Sequence, residues 1–349
     1  MDIQHKFSLD ALWLTRRKFV RPLLWIGTSL VLSGYFYGRG MYDIRLFLSL
    51  FEKAFFNYYG LAVTIIKAGP ILFCALAVIL PLRVGLINIG GEGQMYLGGL
   101  GATITALNLP ENVGSFGIIL CTLIGALSGV IYALIPGILL VRFTASEVLT
   151  SLFLNYIAID IVSYIVSGPL MAVGAPYPYT DKIPSYLQLP KLLPGTDAHG
   201  GVIVAVLFAM MVYVLFRYSV FGFECLSVGR SPVASLYAGI NVTKCRLVSL
   251  GLGGACAGIA GAFEVIGLKY RLFDHFVRGY GFDGVVAAFL GAGHPMLTCL
   301  SSFLLAAMES GANMIQRDNS LSIAEIELFK GCIVMGLGAF LFRTRRSKQ

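Results

Sequence analysis

Apolar runs of about 20 residues recur along this 349-residue chain, and short segments carrying arginine or lysine interrupt them. A run of that length, wound as an α-helix, covers the ~30 Å hydrocarbon core of a bilayer. No water is available there, so the backbone has to satisfy its own hydrogen bonds, which a helix does. Composition agrees: 57% of the residues are hydrophobic and 13% charged, with a mean hydropathy of +0.80. A soluble domain is only about 45–50% apolar. The predicted class is therefore an all-α polytopic membrane protein.

The runs predict about ten transmembrane helices, some broken or short. They form a single transmembrane domain over 22–342, after a cytoplasmic N-terminal segment (1–21) and before a basic cytoplasmic tail (343–349). The spans fall near 22–37, 58–80, 82–107, 114–141, 147–166, 201–216, 247–268, 281–293, 296–314 and 323–342. The eighth is too short to cross as one straight helix. Residues 38–57 read as an amphipathic helix at the outer interface, 167–200 as the longest outer loop, rich in Pro and Tyr, and 269–280 as a polar outer loop. Ten spans put both termini in the cytoplasm, and the arginines and lysines gather in the segments assigned to that side.

Several function classes drop out. The net charge of +8 belongs to these short flanking segments and forms no sustained basic face, so a nucleic-acid partner is not expected and the bilayer is. The seven cysteines are scattered without a C-x-x-C pair, and the four histidines stand alone, which predicts no metal site. No Gly-Lys pair occurs, hence no Walker A loop, and no catalytic constellation is visible. No cofactor is expected. Dispersed acids and lysines in or near the apolar runs (Lys67, Glu264, Glu309, Glu325, Glu327, Lys330) leave an ion-coupled secondary transporter open.

One stretch stands apart from plain lipid-facing helix. Residues 82–102, LRVGLINIGGEGQMYLGGLGA, set Asn88, Glu92 and Gln94 among clustered glycines inside an oily region. An unpaired carboxylate there would cost several kcal/mol. Glycine permits positive φ and close backbone approach, so the stretch reads as a break or a tight crossing where polar groups gather. Close packing alone would also use such glycines.

The run Gly85-Leu86-Ile87-Asn88-Ile89-Gly90-Gly91-Glu92-Gly93-Gln94 resembles the signature of the inner-membrane permease family of ABC importers that serve nucleosides and simple sugars. Three more stretches resemble the same family. Ser146-Glu147-Val148-Leu149-Thr150 with Asn155-Tyr156 is similar to its N-E-V…T…L-N-Y, Ser146 standing for the usual Asn. Residues 227–240, SVGRSPVASLYAGI, are similar to its cytoplasmic coupling segment, and Gly279-Tyr280-Gly281-Phe282-Asp283-Gly284 to its G-Y-G-F-D-G. Pro232 suits the first turn of a helix and Gly239 its end, giving about two turns.

The resemblance implies an ATP-driven importer for nucleosides. Its partners are an ABC ATPase subunit, a second permease subunit and an extracytoplasmic solute-binding protein or lipoprotein. It places Asn88, Glu92, Gln94, Asn155, Phe282 and Asp283 on the solute pathway. It also places Gly229, Pro232, Ala234, Ser235, Tyr237 and Gly239, within the coupling segment 228–240, against the ATPase. For Asn155 an interhelical hydrogen bond is an equal reading, and Asp283 equally suits capping its own helix. A simple sugar or a branched-chain amino acid is the alternative cargo.

Overall fold

The structure, a computed structural model, describes residues 49, 51–277, 279–318 and 331. The predicted first and tenth spans and both termini lie outside the described residues. The described elements are helical, with two isolated β-bridges and no strand. Ten α-helices follow one another: α1 (Tyr58–Leu82), α2 (Gly91–Asn108), α3 (Phe116–Phe143), α4 (Glu147–Ser167), α5 (Gly201–Tyr218), α6 (Val220–Arg230), α7 (Pro232–Tyr237), α8 (Val242–Phe263), α9 (Tyr280–Leu290) and α10 (Pro295–Asp318). A π-helical turn, Glu264–Lys269, prolongs α8. Among the described residues five helices are long and apolar enough to cross a membrane: α1, α3, α4, α5 and α8 with its π turn. At 11 residues α9 is only about 16 Å long and reaches half-way.

The centre of the bundle is α1. Its first turn is capped by Asn57, whose Oδ1 accepts from the Tyr59 amide at 2.9 Å. Every residue from Ala68 to Pro81 is buried, with α8, α9, α10 and α5 around it. At the N-terminal end of α1 the expected amphipathic segment is described at Ser49 and from Phe51 on, with a π-helical turn, Glu52–Phe56, lying over Gly60.

Glycine sets the contact among α2, α3 and α8. A Cβ on Gly98 would overlap the Gly258 backbone, one on Gly258 the Gly125 carbonyl, and one on Gly254 the Gly129 carbonyl. Backbone therefore lies directly on backbone, the small-residue solution to helix association in lipid, where hydrophobicity gives no preference for protein over acyl chains.

Two segments differ from the sequence reading. Residues 270–279 look polar, yet Leu272, Phe276 and Val277 are buried, and the Phe276 ring stands 4.9 Å from that of Tyr96. The segment dips into the bundle instead of lying outside it, because its apolar residues alternate with Arg271, Asp274 and His275. The second is α6, a separate helix where the sequence showed only a less apolar stretch.

The loop over 167–200 is tied to that re-entrant segment. The Thr180 amide donates to the Leu272 carbonyl at 3.0 Å and the Ile183 amide to Tyr270 at 2.8 Å. His199 is buried at its end, packed over Gly267, with Nδ1 accepting from the Gly201 amide at 3.2 Å and Nε2 without a partner among the described residues. Burial pushes the imidazole down to about 4. The unfolded chain therefore binds the proton more readily than the fold does, and stability is full above an ordinary histidine pKa of about 6.5 and is lost as pH falls toward 4. Moving from pH 7 to pH 5 is expected to lower stability by about 1–3 kcal/mol through this residue. A thermal melt of the purified protein at both pH values checks it, and the His199→Asn variant should lose that part of the pH dependence.

Candidate solute path and coupling element

Between α1 and α2 the chain turns back into the bundle. Gly85 adopts φ +80°, and residues 86–89 are not helical. The Asn88 amide donates to the Ala77 carbonyl at 3.2 Å, which places it about 8 Å inside the end of α1 at Leu82. From the other side α9, with Gly279 as its N-cap, begins at Tyr280 and lies with Gly284 against Cys74 and Ala75. Two helix N-termini thus meet within the bundle; of the two readings of the glycine-rich stretch, a break or a tight crossing, the break is present at 86–89. Broken helices of this kind are tolerated only where protein or water covers their free backbone groups.

The polar side chains of the break cover those groups. Asn88 and Gln94 form a reciprocal amide pair, Nδ2 to Oε1 and Nε2 to Oδ1, both at 3.1 Å. Asn88 Oδ1 also accepts from the Gly90 amide at 2.9 Å. From α4, Asn155 Oδ1 accepts from the Gly93 amide at 2.8 Å while its Nδ2 donates to the Ile89 carbonyl at 2.9 Å. The Ser151 hydroxyl accepts from the Ile89 amide at 3.3 Å.

Glu92 joins the two breaks. Its Oε1 accepts from the Gly279 amide at 2.8 Å and its Oε2 from the Gly281 amide at 2.7 Å, so one carboxylate caps the N-terminus of α9. The positive end of the helix dipole and two charge-assisted hydrogen bonds offset the burial of the charge. Gly281 has to be glycine here, since a Cβ would overlap the Glu92 backbone amide.

Asn88, Glu92, Gln94 and Asn155 are each at most 5% exposed. The structure gathers these four predicted pathway residues, and each is engaged with protein. Phe282 and Asp283 sit one turn further along: Phe282 is 44% exposed and Asp283 half-buried.

Among the described residues, Lys67 and Lys269 are paired. Lys67 on α1 forms an ion pair with Glu309 on α10, and Lys269 Nζ stands 3.6 Å from Glu264 Oε1. The first couple bridges two helices and the second closes within the π turn, and Glu264 also lies within electrostatic reach of Lys67 and Glu309, so the four form one mixed-charge cluster. Glu325, Glu327 and Lys330 lie outside the described residues.

At the coupling segment Pro232 is the first residue of α7, Ser231 Oγ accepts from the Ala234 amide at 3.2 Å, and Gly239 ends the element at φ +80°. Ala234, Tyr237 and Gly239 are exposed, Tyr237 at 92%, and Pro232 is half-exposed. Ser235 is buried and donates back to the Ser231 carbonyl at 2.9 Å, so it is not presented outward. Val233 and Leu236, within the coupling segment but not among its expected contact residues, complete the exposed apolar tip. Gly229 faces inward to the break: a Cβ there would overlap the Arg83 carbonyl. The segment is thereby seated on the turn that leads to Asn88.

Asp160 on α4 also escaped the sequence reading. It is exposed, and it is the one carboxylate between Val148 and Ser167, a signal legible in the apolar run itself.

Residues 60–335 match the family described as branched-chain amino acid transport system / permease component. The chain is 30% identical to the guanosine ABC transporter permease protein NupP of Bacillus subtilis, over 88% of this chain and 87% of that one. It is 30% identical to the glucose ABC transporter permease protein TsgB13 of Haloferax volcanii, over 82% and 78% respectively. It is 28% identical to the nucleoside ABC transporter permease protein NupB of Lactococcus lactis subsp. cremoris, over 86% of each. No solved structure matches the chain. A bundle with five apolar helices of spanning length, and a family match over most of its residues, lead to one conclusion: the chain belongs to the branched-chain amino acid transport system permease-component family, and it is a multi-pass membrane transport subunit, not an enzyme.

Proposed function

We propose that this chain is the permease subunit of an ATP-driven ABC importer that carries nucleosides, purines foremost, across the cytoplasmic membrane. The observation that carries the reading is the similarity to the guanosine and nucleoside permeases over more than four-fifths of each chain, joined to the exposed apolar tip at α7 that a soluble ATPase can grip. In this reading the chain makes ten spans with both termini in the cytoplasm and forms half of a pore with a second permease subunit. An extracytoplasmic binding protein delivers the solute. Asn88, Glu92, Gln94 and Asn155 hold the broken helices that frame the path, and Phe282 and Asp283 stand at its edge, where an aromatic ring can cover the face of a base.

Motion passes through one contact. An ATPase that pulls on Val233, Leu236 and Tyr237 pulls Gly229, and with it the Arg83–Gly85 turn. Exposed aromatics at the centre of an interface are frequent anchors, worth about 2 kcal/mol or more. Tyr237→Ala is expected to weaken retention of the ATPase by tenfold or more, read by co-purification from detergent, while the permease itself extracts and melts as before.

Cargo is tested by uptake of radiolabelled guanosine into cells expressing the permeases, the ATPase and the binding protein. Competition by excess inosine, with none by glucose or ribose, supports the reading. The glucose permease of Haloferax volcanii makes the opposite pattern the specific alternative: block by sugar and not by inosine would replace nucleoside with sugar.

A further inference from the structure

The two most exposed apolar helices carry different chemistry on their outward faces. On α3 the exposed side chains include Phe116, Ile119, Leu123, Leu127 and Ile131, hydrocarbon throughout. Such a face suits acyl chains. On α4 the exposed side chains include Phe153, Ile157 and Ile161, apolar as on α3, and with them Tyr156, Asp160 and Tyr164, Tyr156 being 60% and Tyr164 75% exposed. Tyr156 and Tyr164 lie four residues to either side of Asp160, so the three share one side of the helix.

Asp160 makes no hydrogen bond or ion pair with any described residue. It lies about 10 Å from the Ser167 end of α4 and about 20 Å from the Glu147 end, well within the hydrocarbon thickness. A carboxylate facing lipid at depth costs about 2.5 kcal/mol or more, so acids in spans face a bundle interior or water. Asp160 therefore calls for water or a protein partner beside it, whereas the α3 face suits lipid.

We propose that Asp160, flanked by Tyr156 and Tyr164, is a solute-contacting station of the translocation path, taking the sugar hydroxyls of a nucleoside. An ionised carboxylate is an acceptor with two oxygens, matched to the two neighbouring hydroxyl donors of a ribose. The tyrosine rings above and below present apolar faces to the base or the sugar. The inference rests on the nucleoside reading and adds a residue that distinguishes a hydroxylated solute from an apolar one.

The test uses the whole complex in cells. Asp160→Cys is treated with a membrane-impermeant methanethiosulfonate, with the native protein as blank and Leu127→Cys on the α3 face as control. The six cysteines among the described residues are all buried, so background labelling is expected to be low. The expected result is labelling at position 160, slowed several-fold by saturating guanosine, and none at 127. Asp160→Asn, which retains shape and loses the charge, is expected to raise the KM of guanosine uptake about tenfold with the ATPase still co-purifying. Intact wild-type uptake together with an unlabelled or unprotected position 160, or with an unchanged KM in Asp160→Asn, overturns this inference alone. Absence of nucleoside uptake by the wild-type complex overturns the reading beneath it.

Discussion

Glu92→Ala is expected to cost about 3–5 kcal/mol and to leave little assembled protein, because two amide donors at the start of α9 lose their acceptor within the bundle. No other described side chain accepts from the Gly279 or Gly281 amide, and water has poor access where Gly281 rests on the Glu92 backbone. Glu92→Gln keeps one acceptor oxygen and turns an NH2 group toward the second amide, so its loss should be intermediate. The check is the monodisperse fraction of each detergent-extracted variant as a function of temperature. A Glu92→Ala protein that melts like the wild type but no longer transports would assign the carboxylate to the solute and not to the frame.

Gly258→Leu is expected to have an effect of similar size. Position 258 faces the Gly125 carbonyl and the Ala126 backbone on one side and Gly98 on the other, and all three neighbours meet it through backbone that cannot rotate away. Overpacking a core costs about 1–3 kcal/mol when side chains can give; here whole helices have to part, and loss of the α2, α3 and α8 contact is expected. Gly251→Ala is the matched control on the same helix. Its Cβ would meet Val130 at 3.5 Å and Leu134 at 3.8 Å, ordinary contacts, and alanine favours helix by up to about 1 kcal/mol. Melting temperatures should fall steeply for the first and stay level or rise for the second. Equal melting of Gly258→Leu and wild type would contradict the backbone contact.

Much of this architecture is legible in the residues, for physical reasons that can be named. A helix that crosses a bilayer needs a length of apolar residues and little else, so α1, α3, α4, α5 and α8 appear in the sequence near their final limits. The break before α2 is legible because Asn88 and Glu92 among glycines have no place in lipid, and α9 because 11 residues cannot span. Pro232 and Gly239 bound α7 as expected.

What stays hidden is pairing. Nothing local to Glu92 says that its partners are the amides of residues 279 and 281, nor that Asn155 reaches back to Ile89 and Gly93. Those bonds close between residues some 60 to 190 positions apart. The burial of Leu272 and Phe276 is masked by the charged residues between them, and the inward turn of Ser235 by its small size on a surface element. Asp160 is a different case: its isolation in an apolar run is legible, but it belongs to none of the motifs.

The most direct test of an ATP-driven nucleoside permease is guanosine accumulation in proteoliposomes holding the purified permeases, ATPase and binding protein, with ATP on the ATPase side. Uphill accumulation that requires ATP, and that stops when the ATPase subunit is replaced by a hydrolysis-dead variant, is the predicted result. Accumulation that needs no ATP and collapses when the proton or sodium gradient is discharged would contradict it, and would turn attention to Lys67, Glu264 and Glu309 as the coupling residues.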